Sequence, residues 1–122
     1  MKRFFVIGIV NAIFCIILGA FGSHIIKNIV TPEMLTVWNT GVTYQMFQTI
    51  ALILAGLFLY KIPSSRALKW SGWLSVIGIL FFSGSLYLLS VTGLKVLGPI
   101  TPLGGILFII AWILLVIPLS KL

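Results

Sequence analysis

Charged residues stand at positions 2, 3, 27, 33, 61, 66, 69, 95 and 121, and the stretches between them are largely apolar. Four uncharged stretches, 4–26, 34–60, 70–94 and 96–120, run for 23, 27, 25 and 25 residues. A helix needs roughly 20 such residues to cross about 30 Å of hydrocarbon. The pattern predicts an all-α membrane protein, a single domain over residues 1–122 with four transmembrane helices. The spans fall at about 4–22, 42–60, 70–91 and 103–119, with a short interfacial helix before the second.

Punctuation between the spans supports this division. Thr31-Pro32-Glu33 reads as an N-cap, a proline at the first helical position and an acid in the first turn. A helix therefore starts near Pro32, with Trp38 at headgroup level and Gly41 as a bend into the second span. Ser64 or Ser65 can cap the third helix after Pro63, and Thr101-Pro102 reads as a second cap-and-proline start for the fourth.

Small residues mark where helices approach closely. Gly8, Ala12, Cys15, Gly19 and Gly22 follow spacings of 4, 3, 4 and 3, and Ser71, Ser75, Gly78, Phe82 and Ser85 repeat them. Membrane helices associate through such seams because lipid supplies no hydrophobic drive between them. Spans one and three cross in the same direction, so these two seams are expected to meet at a shallow left-handed crossing. Asn11 lies beside the first seam and can hydrogen-bond across it.

Composition narrows the reading further. Hydrophobic residues make up 61% of the chain and charged residues 7%, against roughly 25% charged in a soluble domain. A water-soluble globule is excluded. The net charge of +7 is read against the membrane. Lys2, Arg3, Lys61, Arg66, Lys69 and Lys121 share the side that holds both termini, and Lys27 and Lys95 lie opposite. The positive-inside rule then predicts a multi-pass cell-membrane protein with cytoplasmic N- and C-termini. The basic 61–69 loop should lie against anionic headgroups. No aromatic-interleaved basic surface points to nucleic acid as a partner. The lone Cys15 cannot form an internal disulfide and reads as a small core hydrophobe. Met1-Lys2-Arg3 before an apolar run is superficially like a signal peptide, but the glycine-rich continuation favours a retained helix.

Polar side chains are the candidates for function. With helices rising 1.5 Å per residue, Tyr44, Gln45 and Gln48 lie within about 15 Å of the outer boundary. His24, Trp38, Ser83, Ser85, Tyr87 and Thr101 are expected at similar depth, leaving the inner half chiefly apolar. Two readings compete: interhelical ties, or a pocket opening outward for a lipid headgroup or small polar solute. Chemistry is poorly provided for. There is no Asp, and the single His, Cys and Glu are widely separated. A held nucleophile–base pair and a metal site are both disfavoured, and no cofactor is implied. None of the four cores carries an ionisable acid, base or histidine of the kind that couples protons to transport.

Motifs in the chain add a resemblance. Gly19-Ala20-Phe21-Gly22-Ser23-His24, Trp38-Asn39-Thr40-Gly41 with Tyr44-Gln45-Met46-Phe47-Gln48, Phe82-Ser83-Gly84-Ser85-Leu86-Tyr87 and Thr101-Pro102-Leu103-Gly104-Gly105 occur in that order. Together they resemble the domain of unknown function 423 family, also called transmembrane protein 256-like. The resemblance implies a small bacterial inner-membrane protein of about four helices and brings no established reaction, substrate or catalytic residue. Two positions depart from the family pattern: Ser23 replaces an alanine and Gln48 replaces a histidine. Gln48 keeps hydrogen-bonding capacity but cannot titrate, which counts against a mechanism built on paired histidines.

The expectation is a non-enzymatic membrane protein whose outer polar cluster binds lipid or stabilises assembly. Its partners are membrane lipids and, through seams left exposed, further copies of itself. A small oligomeric transporter or channel, and an accessory subunit for an unidentified membrane protein, are the alternatives.

Overall fold

In the computed structural model, which describes residues 2–122, the apolar windows are helices. α1 spans Lys2–His24, α2 Pro32–Leu59, α3 Arg66–Thr92 and α4 Ile100–Leu119, with single 3₁₀ turns at Ile26–Asn28 and Lys95–Leu97. At 1.5 Å per residue these helices are about 30–42 Å long, enough to cross a bilayer. No strand occurs among the described residues.

Local chemistry sets the boundaries. The Thr31 hydroxyl accepts from the Met34 amide at 3.2 Å, with Pro32 next in line and Glu33 in the first turn. Ser65 caps α3 by accepting from the Leu68 amide at 3.2 Å. Gly93 ends α3 in the left-handed region at φ 70°, where a Cβ would be strained.

Two boundary expectations are corrected. The stretch before the second span is no separate helix: α2 runs unbroken through Gly41, which is buried and packs beside Tyr87. Thr101 is not an N-cap either. Pro99 occupies that position, and Thr101 lies inside the first turn of α4, where its hydroxyl pairs with Ser85 at 2.6 Å.

Packing follows chain order: α1 lies along α2, α2 along α3, and α3 along α4, with a thinner α2–α4 contact. The expected meeting of the α1 and α3 seams does not occur. Gly8, Cys15 and Gly22 face α2, against Ile53, Thr49 and Trp38. Half-buried Gly19 packs near Val42, and Ala12 is also half-buried. On α3, Ser71 and Gly78 meet α4, while Ser75 meets α2. Small residues specify close approach, not which neighbour approaches. The consecutive helix claims each seam first. α1 also touches α3 at the end that holds both termini, where the Phe4 ring lies over Gly72 and edge-on to Trp73 at 5.4 Å.

Two apolar clusters flank the polar side chains. The larger gathers Phe4, Leu52, Leu59, Leu68, Phe108 and Leu115, among others, towards the terminal end. The smaller joins Ile26, Trp38 and Val42 at the opposite end.

Candidate functional site

Two glutamines on α2 organise the interior. Gln45 points between α1 and α3: its Nε2 donates to Asn11 Oδ1 at 3.0 Å, and its Oε1 accepts from the Tyr87 hydroxyl at 2.6 Å. Gln48, one turn on, points between α3 and α4. Its Nε2 donates to Ser75 Oγ at 2.8 Å, and its Oε1 accepts from Trp112 Nε1 at 3.1 Å. An indole N–H can only donate, so Trp112 fixes which way the Gln48 amide faces. Ser75 passes its own proton to the Ser71 carbonyl, and Ser71 donates to the Ala111 carbonyl, both at 2.8 Å. All four helices are thereby tied through α2 and α3.

Most remaining predicted site residues tie one helix to the next. Ser83 donates to the Gly41 carbonyl at 2.7 Å, and Ser85 pairs with Thr101. Trp38 donates to the Leu18 carbonyl at 2.9 Å, and its ring lies tilted against that of Tyr87 with centroids 4.7 Å apart. Two residues stand apart. His24 is exposed at the end of α1, in a shallow apolar hollow with Phe21 and Ile25. Tyr44 is exposed too, its ring 5.1 Å from Phe82. Trp112 was not anticipated as a member. The signal was available, because a tryptophan deep in an apolar span must place its N–H somewhere.

The polar groups are sealed and spread along the bundle. Gln48 is 1% exposed and Gln45 5%. Among the described residues no buried side-chain nitrogen or oxygen lacks a hydrogen-bond partner. Ser71 and Ser75 lie in the first half of α3, at the terminal end, so the expected crowding into one half of the membrane is corrected. The α3 seam carries hydroxyls as well as small volume, and those hydroxyls continue the network inward.

The open feature lies elsewhere. α2 and α4 diverge over Phe82 of α3, leaving a groove of about 990 Å³ on the bundle surface. Its walls are Tyr44 and Phe47 on one side and Ile109, Trp112 and Ile113 on the other, with Gln48 beneath. Along α4 it extends from Pro102 to Val116, about 21 Å of helix. Because the Trp112 N–H turns inward to Gln48, the indole offers the groove its carbon face.

Comparison with known proteins places the chain among membrane proteins. The family model described as "Protein of unknown function (DUF423)" matches residues 18–105. Among curated relatives, UPF0382 membrane protein SAB0533 of Staphylococcus aureus (strain bovine RF122 / ET3-1) is 46% identical, covering 99% of this chain and 98% of the relative. UPF0382 membrane protein YwdK of Bacillus subtilis (strain 168) is 43% identical with the same coverage. UPF0382 membrane protein SSP2132 of Staphylococcus saprophyticus is 42% identical over the full length of both chains. No solved structure matches. By its motifs, its helices and these full-length relatives, the chain belongs to the DUF423 family of small membrane proteins.

Proposed function

We propose that this is a non-enzymatic membrane protein that holds one acyl chain of a membrane lipid in the groove between α2 and α4. The observation that carries the reading is the groove itself, about 990 Å³ with predominantly apolar walls. The Gln48–Trp112 bond fixes α2 and α4 relative to each other at the floor of the groove. The groove covers much of the depth of a hydrocarbon core about 30 Å thick, a length that suits an extended acyl chain. Tyr44 and Thr40, towards the start of α2, offer the nearest side-chain hydroxyls to the ester end of a lipid.

Most of the two seams expected to hold copies together is used inside one chain, with Ala12 and Gly19 left half-buried. Gly8, Cys15, Gly22, Ser71, Ser75 and Gly78 are all buried. That favours lipid over a second copy as the occupant. The hydrogen-bonded interior likewise opposes a transport path, because its polar side chains already satisfy one another.

Native mass spectrometry of the detergent-extracted protein tests this. Wild type is expected to retain one lipid, and Ile109→Trp and Ile113→Trp, which fill the groove, to lose it while unfolding at an unchanged temperature. Equal retention by both variants would overturn the reading. A lipid-free wild-type dimer that the same substitutions dissociate would reassign the groove to contact between copies.

A further inference from the structure

At the terminal end, Arg3, Phe4, Leu59, Lys69 and Trp73 line a cleft of about 280 Å³ between α1, α2 and α3, with Arg3 and Lys69 exposed at its mouth. The Arg3 guanidinium sits over the Trp73 ring, 5.5 Å from its centroid. This cation–π contact directs a side chain that would otherwise sample many rotamers. Lys69 lines the same small space. Two cations therefore share one cleft, and the only carboxylate side chain in the protein, Glu33, cannot neutralise them. Glu33 stands in the first turn of α2 while Leu59 ends that helix, a separation of about 39 Å.

We propose that this cleft binds a phosphate group through Arg3 and Lys69. A guanidinium matches the geometry of phosphate oxygens with paired donors, and a neighbouring ammonium adds a point charge. Phe4, Leu59 and Trp73 floor the cleft with carbon, so the anion it fits is one attached to an apolar body, the phosphate of an anionic lipid. Six bases lie at this end of the bundle, the end that the charge bias assigns to the cytoplasm, and they raise the local concentration of such lipids. The site is separate from the α2–α4 groove and shares no residue with it.

The test titrates purified protein with short-chain phosphatidylglycerol, with phosphatidylcholine and with inorganic phosphate, reading bound species by native mass spectrometry. Wild type is expected to bind phosphatidylglycerol at least tenfold more tightly than phosphatidylcholine, and Arg3→Gln/Lys69→Gln to lose that preference. The control Lys61→Gln/Lys121→Gln removes the same charge at the same end and should change affinity less than twofold. Saturable binding of inorganic phosphate that needs Arg3 and Lys69, without lipid preference, would support the anion site and assign it to free phosphate. Phosphatidylglycerol binding that survives Arg3→Gln/Lys69→Gln, or falls equally in the control, would overturn the proposal.

Discussion

Trp112 and Gln48, 64 positions apart, are joined at 3.1 Å between indole Nε1 and amide Oε1. This bond closes α4 onto α2, the pair of helices that otherwise diverge around the groove. It also settles the second half of the same amide, which must then donate to Ser75. One side chain thus holds three helices in register.

Gln48→Leu removes both bonds while keeping a similar volume. Ties of this kind inside membranes are worth about 0.6 kcal/mol on average, so the variant should lose about 1 kcal/mol. Thermal unfolding in detergent would show a midpoint lower by a few degrees. Gln48→His should recover much of the loss, because a neutral imidazole has one donor for Ser75 and one acceptor for Trp112. If Gln48→Leu unfolds with wild type, or the histidine variant is no better than leucine, the bonds contribute nothing.

Gly104 and Gly105 are adjacent in α4 but should respond oppositely. A Cβ on Gly104 would lie 2.8 Å from Phe82 Cα, and backbone cannot step aside as a side-chain end can. Gly104→Ala should force α3 and α4 apart and cost about 1–3 kcal/mol. A Cβ on Gly105 meets the Phe82 ring at an ordinary 3.7 Å. Gly105→Ala should be neutral or slightly stabilising, since alanine is the better helix former. Equal unfolding midpoints for the two variants would contradict this packing.

The bias of basic residues predicts cytoplasmic termini, an expectation that thiol reagents can check. In a Cys15→Ala background, Ser64→Cys should react only with a membrane-permeant maleimide in intact cells, and Ile29→Cys with an impermeant one. Both positions are exposed, and Ser64 leaves the Ser65 cap intact. External labelling at residue 64 would invert the topology.

Much of this architecture was legible because charges interrupt otherwise apolar runs. A span cannot be hidden when Lys61, Arg66 and Lys69 interrupt the apolar run between two of them. The caps at Thr31 and Ser65 were equally readable, since each needs only a hydroxyl three residues before an orphan amide. Partner choice was not. Gly8 and Gly78 advertise room for a neighbour, yet Ile53 fills one and Phe108 the other, and spacing alone carries no such information. The polar cluster was half legible. Depth arithmetic placed Gln45 and Tyr87 at compatible heights, and they meet. It also placed His24 and Tyr44 there, and they do not join, because height fixes position along a helix but not the direction a side chain points.

The chain-order packing of the helices has a consequence for biogenesis. Because α1 rests on α2, α2 on α3 and α3 on α4, each segment leaving the ribosome meets a neighbour already inserted, and no helix waits long for company. The exception is the Gln48 carbonyl, whose indole donor is synthesised last. Until residue 112 emerges, that oxygen lacks its native donor, so this tie between non-consecutive helices can form only after α4 has arrived.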